Sequence, residues 1–566
     1  MNAKNMIHHN YLFFLFISIS LLFSSCVKSL EDKPLELITE DYLWDSKDSL
    51  GTNANLFLNS IYAKLPKGFN RIGNNVLDAA SDDAVPTEDG ASISSFTNGG
   101  YSALSNADDS WQNSYAGIRM TNLFLQNFYK VHLKRDLLLE GQYWRAENRF
   151  LRVMFYYELI KRYGGVPLLG DQVFTLSDNL DLPRNTFDEC VDYIVAECDA
   201  IKDSLRIDPV ATGDYGRITR GVALTLKAKV LLLAASPLNN LNNDIDKWQR
   251  AKNAAAEVIA LNAFSLEPAF SNVFTTRSNK EVILAYQRAL TTDLEVNNAP
   301  IGYVSGSTSS LGRTSPTQEL VDAFPTIRGR AITEDVRSGS NPTGYDATNP
   351  YANRDPRLDL TVFYNGLLWL GRGVETFDGG KDRPGGAAVQ TKTGYYMRKF
   401  LGNFATGTAY SNQTHNFPIF RYADVLLMFA EAKNEIDGPG SVSDSVYTYL
   451  KAIRSRAGIM PGTDNNYGLD PNLSLSAMRE AIRLERRVEL AFEEQRFWDV
   501  RRWKIAETVY NKPLHGIRIT NNGSTLNYQV ESLNIPFQFV APRMYRYAIP
   551  YSEVIKNPNL KQNEGY

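Results

Sequence analysis

Apolar residues recur at helical spacing in one long segment after another, and this constrains the fold of the chain more than any other feature. Residues 140–163 place Ala146, Phe150, Met154 and Tyr157 on one stripe, with Leu151 and Phe155 on its flank. That pattern stops at Gly164-Gly165 with Pro167 beyond, a strong C-terminal signal. Residues 187–205 predict a second helix. Residues 220–235 predict a third, almost wholly apolar along 230–235 and ended by Pro237. Residues 248–261 predict a fourth, whose alanines let another helix approach closely. Helical patterns return at 421–436, 444–457 and 475–503. Upstream, Thr39 is placed to cap the first helix of the body, with Glu40 and Asp41 favouring the positive end of its dipole. Long consecutive helices with short connections predict stacked hairpins of the tetratricopeptide type, although no clean repeat consensus remains.

Between residues 290 and 414 the texture changes. Gly, Pro, Asn, Ser and Thr dominate, interrupted by β-like runs at 358–364 and 395–400. A long irregular insertion in a helical protein is more often functional than not. The expected fold is therefore mostly α, with tetratricopeptide-like helical hairpins, a large loop-rich insertion and a few short strands. The expected organisation is a leader at 1–25, a tether at 26–38, an N-terminal helical region at 39–270, and a C-terminal region at 271–566 containing the insertion.

The leader reading rests on Lys4, an apolar run over residues 11–23 too short for a good membrane span, and the sequence Phe23-Ser24-Ser25-Cys26. Small residues before a cysteine suit a lipoprotein signal peptidase, and the Cys26 thiol would accept the lipid. An ordinary secretory signal that happens to contain a cysteine is the alternative. Lipid chains contribute about 0.8 kcal/mol per buried CH₂, so an acylated Cys26 would hold a soluble body on a membrane. Cys190 and Cys198 lie eight residues apart on one predicted helix, about 12 Å at its rise per residue. A disulfide needs less than about 7 Å, so both are expected as buried thiols. A net charge of −3 over 566 residues gives no basic footprint for nucleic acid.

Residues 475–503 are the most charged stretch. Ala481, Leu484, Val488, Ala491 and Phe492 share an apolar face, while Glu485, Glu489 and Glu493 form a ridge at i, i+4 steps. Arg486 and Arg496 stand three residues from ridge members, and remote arginines such as Arg421 or Arg454 can add to them. One reading is a carboxylate pair, Glu485 and Glu489, for a surface glycosidase; this requires two carboxyls about 5–10 Å apart in an open cleft. The other is an ion-pair network of Arg421, Glu485, Arg486, Glu489, Glu493 and Arg496 that fixes a buried helix. The interleaved arginines favour structure, because they would depress carboxylate pKa values, the wrong direction for a general acid.

The run Glu485-Arg486-Arg487-Val488-Glu489-Leu490 through Glu493, Arg496-Phe497-Trp498-Asp499 and Arg501-Arg502-Trp503 resembles the C-terminal signature of SusD/RagB lipoproteins. Arg421-Tyr422-Ala423-Asp424-Val425-Leu426-Leu427 with Glu431-Ala432 resembles another motif of that family. So do Phe155-Tyr156 through Arg162-Tyr163-Gly164-Gly165-Val166-Pro167-Leu168, Trp111 with Tyr115, Ile118 and Asn122, and Asn557-Pro558-Asn559-Leu560. The motifs follow in order from Cys26 to the last residues. The resemblance implies a non-catalytic outer-membrane lipoprotein facing the exterior, and no cofactor is expected. Its partner would be a SusC-like TonB-dependent barrel, to which it delivers oligosaccharides or, in some members, peptides.

Sugar recognition needs flat aromatic faces beside amides, carboxylates or arginines. Two loop-rich regions offer that mixture: Phe96, Asn98 and Tyr101 within residues 82–106, and Tyr303, Arg313 and Trp369 in the insertion. For each aromatic the competing reading is an ordinary core ring, most of all for Trp369 inside Leu367-Leu368-Trp369-Leu370. Other chemistry finds little footing. His132, His415 and His515 are scattered, and no HExxH, P-loop or GxSxG motif occurs. The acidic stretch 81–90 lacks the alternating ligands of an EF-hand loop, so no metal site is expected and a structural Ca²⁺ is not predicted. A pure adaptor that holds other proteins without a small ligand is a further reading.

Overall fold

In a computed structural model the chain is described over residues 40–566, apart from residue 176, residues 334–342 and 405–408, and residue 524. Cys26, Thr39, the leader and the tether lie outside the described residues. The long helices are α1 (Thr52–Tyr62), α2 (Trp111–Asn127), α3 (Leu138–Tyr163), α4 (Phe187–Ile201), α5 (Arg220–Ala235), α6 (Ile245–Ala260), α7 (Tyr422–Asp437), α8 (Ser445–Ala457), α9 (Leu475–Glu489) and α10 (Gln495–Arg502). From α1 to α6 each helix packs on the next, and α6 then packs on α7, so the stack continues across the insertion. The architecture is that of tetratricopeptide-like hairpins.

Local signals explain these boundaries. Thr186 and Glu189 form a reciprocal capping box at the start of α4. Gly164 ends α3 at φ 77°, a conformation that disfavours a side chain. Close contacts decide the packing. A Cβ on Gly117 of α2 would fall 2.5 Å from the Phe155 ring of α3, so only glycine permits that approach. Every residue of α3 from Phe150 to Ile160 is buried, making it a core helix on all sides rather than one with a single apolar face. Cys190 and Cys198 are free, buried thiols.

The strands pair two by two: β1 (Ala84–Pro86), β2 (Val282–Tyr286), β3 (Thr314–Pro316), β4 (Phe417–Arg421), β5 (His515–Asn521) and β6 (Leu526–Ser532). β1 pairs with β3, β2 with β4 and β5 with β6, all antiparallel. The β2–β4 pair sets Tyr286 against Phe417, so the insertion leaves and returns at one place. Inside it, Ala299, Tyr303, Phe363, Trp369, Leu370, Val374, Tyr396 and Phe404 form a small core of their own. The β-like expectation at 358–364 needs correction. Asp355 caps a helix over Pro356–Thr361 with proline in its first turn, and only Val362–Phe363 is extended, paired with Tyr396–Met397.

Residues 475–503 are likewise not one helix. α9 ends at Glu489, and Phe492 and Glu494 adopt left-handed φ of 61° and 60° before α10 begins. The expected apolar face is correspondingly altered. Val488, Ala491 and Phe492 are buried, Met478 and Ile482 join them, and Ala481 and Leu484 are only half-buried. Asp78, in the turn Leu77–Ala80, holds the break. Its two carboxyl oxygens accept the Phe492 and Glu494 backbone N–H groups at 3.2 and 3.1 Å. Burial, and then the neighbouring Asp83 and Glu494, push the Asp78 carboxyl well above its usual range. An Asp78→Ala substitution strands two backbone donors and is expected to cost about 2–5 kcal/mol, read from the urea midpoint. A change below about 0.5 kcal/mol would show that the break holds itself.

Candidate functional site

The carboxylate ridge is sealed. Glu485 pairs with Arg357 at 2.7 Å and Arg454 at 2.8 Å. Glu489 pairs with Arg357 at 2.8 Å, Arg421 at 2.7 Å and also Arg456. Glu493 pairs with Arg421 at 2.6 Å and Lys399 at 2.7 Å. Glu281 joins Arg421 and Arg456, and Asp355 joins Arg357. Burial alone would raise the Glu489 pKa, but Arg456, Arg421 and Arg357 overcome it and hold the carboxyl well below its ordinary range. Glu485 is lowered in the same way, by Arg357 and Arg454 against burial. With both side chains essentially without solvent access, neither can meet a glycosidic bond as an acid or a base.

Two expected partners differ. Arg486 turns to Asp424 and Asp499, both at 2.9 Å, and not to Glu489. Arg496 pairs with Asp82 at 2.8 Å, because the left-handed residues before α10 destroy its helical relation to Glu493. Arg357, Arg456 and Lys399 complete the lattice from distant segments, and no local sequence pattern announces them.

An open polar cleft lies elsewhere among the described residues. Its volume is about 570 Å³, and its walls include Glu88, Asp89, Asn98, Asn106, Lys392, Asn534 and Pro536. Lys392 bridges to Asp89 at 2.6 Å and lowers the pKa of that exposed carboxyl. Glu88 receives Arg313 at 2.9 Å, and Arg313 Nε also donates to Asn297 at 2.9 Å. Asn98 is exposed in the wall, where its side-chain oxygen accepts Gly100 N–H. Asn98 therefore lines this cleft, whereas Arg313 stands behind it and reaches it only through Glu88.

The four expected aromatic platforms are taken up by the core. Phe96 stacks on Tyr101 and Tyr547 with ring centroids 5.3 and 5.5 Å apart, beneath the cleft. The Tyr101 hydroxyl accepts Ala548 N–H. Tyr303 donates its hydroxyl to Trp369 C=O at 3.1 Å, and Arg372 sits 3.6 Å over its ring. Trp369 donates its indole N–H to Gly402 C=O at 3.1 Å. All four side chains are at most 4% exposed, so they support the loops from below and offer no face to a ligand. Asn106 and Lys392 lie within the two loop-rich regions without being singled out there, Asn534 lies outside both, and the three reach the cleft from separate loops.

Residues 280–566 match a family profile described as SusD family, and residues 48–232 match one described as starch-binding associating with outer membrane. The chain belongs to the SusD family. SusD-like protein P25 of Formosa agariphila is 24% identical across 97% of this chain and 98% of its own. A crystal structure of a SusD-like protein from Bacteroides fragilis shares 28% identity with a TM-score of 0.76, over 94% of this chain and all of that one. A second B. fragilis structure, named a SusD-like carbohydrate binding protein, superposes at a TM-score of 0.72 and 23% identity, covering 92% of this chain and 100% of its own.

Within this SusD-family fold the cleft is shared between the two matched regions. Residues 88–107 come from the first, and Lys392 with residues 534–536 from the second. Among the described residues no helix is long and apolar enough to cross a membrane, and no three side chains group as metal ligands. In the acidic stretch Asp82 and Asp83 are occupied by Arg496 and Arg487.

Two outcomes follow from the lattice. Glu485, Glu489, Asp424, Glu431 and Asp499 all have folded pKa values below their unfolded ones. Their contribution is complete above the ordinary carboxylate range of about 4 and is lost as pH falls through the folded values. Urea midpoints should therefore fall steeply on acidification below about pH 4; a flat profile would contradict the lattice. Glu489→Gln leaves three guanidinium groups short of a counter-charge and is expected to cost about 3–5 kcal/mol at neutral pH.

Proposed function

We propose that this chain binds oligosaccharide at the surface of the outer membrane and passes it, without chemistry, to a SusC-like TonB-dependent transporter. The polar cleft formed by residues 88–107, Lys392 and residues 534–536 carries this reading. It is wide enough for a short oligosaccharide, and its amides, hydroxyls and paired charges match the hydroxyl groups of a sugar. The starch-binding profile over residues 48–232 and the carbohydrate binding protein of B. fragilis support a glycan over a peptide. The sealing of Glu485 and Glu489 argues against a surface glycosidase. The ligand residues of this proposal are Asn98, Asn106, Lys392 and Asn534, with Arg313 holding Glu88 in place. The leader at 1–25, acylation of Cys26 and the tether at 26–38 complete it, with the body on the exterior face.

Calorimetry of the mature chain against a panel of glycans and peptides tests the ligand class. The expected outcome is glycan binding that the double variant Asn98→Ala, Asn534→Ala weakens by about tenfold or more at an unchanged melting temperature. Failure to bind any glycan would overturn the reading. Cys26→Ala is expected to shift the protein from the membrane to the soluble fraction, and retention on the membrane would remove the anchor from the account.

A further inference from the structure

Among the described residues no backbone group pairs with the outer edge of the C-terminal hairpin. Leu533 N–H donates to Leu514 C=O just outside one end of the β5–β6 ladder, and Asn522 N–H donates to Thr525 C=O just outside the other. Between them the register runs without a bulge from His515 opposite Ser532 to Asn521 opposite Leu526. Antiparallel pairs alternate between bonded and non-bonded, so Gly516–Glu531, Arg518–Gln529 and Thr520–Asn527 are the bonded ones. Leu526, Tyr528, Val530 and Ser532 therefore aim their backbone N–H and C=O groups away from β5.

The corresponding outward groups of β5 are occupied. Ile517 N–H donates to Thr393 C=O, Asp378 N–H donates to Ile519 C=O, and His515 N–H donates to Glu319. Those of β6 meet no backbone partner among the described residues. Folded proteins blunt such edges with charged side chains, lysine above all, with proline or with a bulge; β6 has no lysine, proline or bulge, and Glu531 is its one charge.

Side-chain exposure points the same way. Residues directly opposite share a face, so Val530 lies beside Ile517 and Tyr528 beside Ile519 on the side turned to the body. Ile517 and Ile519 are buried, yet Val530 is 55% exposed and Leu526 38%. Of the three, Tyr528 alone reaches the body, edge-on to Tyr351 with ring centroids 5.9 Å apart, and the apolar Val530 and Leu526 on either side of it stay exposed.

We propose that β6 pairs antiparallel with β6 of a second copy of this chain, about a twofold axis through Gln529. An extended backbone is what an open strand edge accepts, and this strand is complementary to itself. In that register all four outward residues face outward residues: Leu526 meets Ser532 and Tyr528 meets Val530 of the other copy. The Tyr–Val pair covers the exposed valine, an aromatic–β-branched contact that favours pairing. On the other face Asn527 meets Glu531 and Gln529 meets itself, so no like charges stand opposite. Pairing along one seven-residue strand buries less than the ~1,200 Å² of a standard interface, so the association is weak and concentration-dependent.

Cysteine cross-linking tests the register. The full mature chain carries Cys26→Ser, and Cys190 and Cys198 are buried. At the twofold axis Gln529 faces its own copy in a non-bonded pair, with Cα atoms about 4.5 Å apart, within disulfide reach. Gln529→Cys is expected to form a disulfide dimer under mild oxidation. Asn527→Cys, which faces Glu531, is expected to stay monomeric. Adding Val530→Pro to Gln529→Cys removes an outward N–H and the valine of the Tyr–Val contact, leaves the β5–β6 ladder intact, and should cut the cross-linked yield about tenfold at an unchanged melting temperature. No Gln529→Cys dimer, equal cross-linking at both positions, or a yield indifferent to Val530→Pro would each overturn the proposal.

Discussion

Glu489 is completely buried with three guanidinium groups around it, and this single charge fixes the relation between distant parts of the chain. Arg357 comes from the insertion, Arg421 from the strand that closes it, and Arg456 from α8. An isolated carboxylate at this position would be costly to desolvate by several kcal/mol. It stays charged because its oxygens are met by planar donors that are themselves neutralised by Glu281, Glu485, Glu493 and Asp355. Such a lattice adds little to stability over an apolar core of equal volume, but it penalises any arrangement that leaves one member unpaired. Correct seating of the insertion, the helical stack and α9 is thus a condition of the lattice being satisfied.

That rigidity has a consequence for the surface. The cleft is assembled from loops remote in sequence, and each is held from below. Phe96 stacks on Tyr101 and Tyr547, and Tyr101 packs at a tilt against Tyr547, under residues 88–107. Asp82 and Asp83, a few residues before Glu88, are fastened to Arg496 and Arg487. The same charged segment that would attract an enzymatic reading therefore anchors one wall of the proposed binding site. Ligand groups presented by an ordered support bind with less entropy lost on association than groups on a free loop.

Much of the helical body is legible in the sequence because its signals are local. The span of α5 at 220–235 and the stop of α3 at Gly164 follow from apolar periodicity, capping and glycine geometry. The helix at Pro356–Thr361 has a local signal too, since Asp355-Pro356 is a start, but the β-branched and leucine content around it suggests a strand. The break between α9 and α10 has none. Residues 490–494 hold no glycine or proline, and Phe492 and Glu494 are kept left-handed by Asp78, which lies more than four hundred positions earlier. The binding aromatics fail for a related reason: Phe96, Tyr101, Tyr303 and Trp369 stand in loop-like sequence, and loops of that length fold their large rings inward. Cleft residues such as Lys392 and Asn534 are invisible locally because only the tertiary fold brings them to one place.

The central claim is that a sealed charged framework presents a non-catalytic polar cleft to a saccharide. Hydrogen-exchange mass spectrometry of the mature chain, with and without oligosaccharide, addresses it most directly when the sugar is recovered and weighed afterwards. The account predicts added protection over residues 88–107 and 534–536, unchanged exchange in α9, and sugar recovered intact. Protection centred on α9, or recovery of a shortened saccharide, would contradict it.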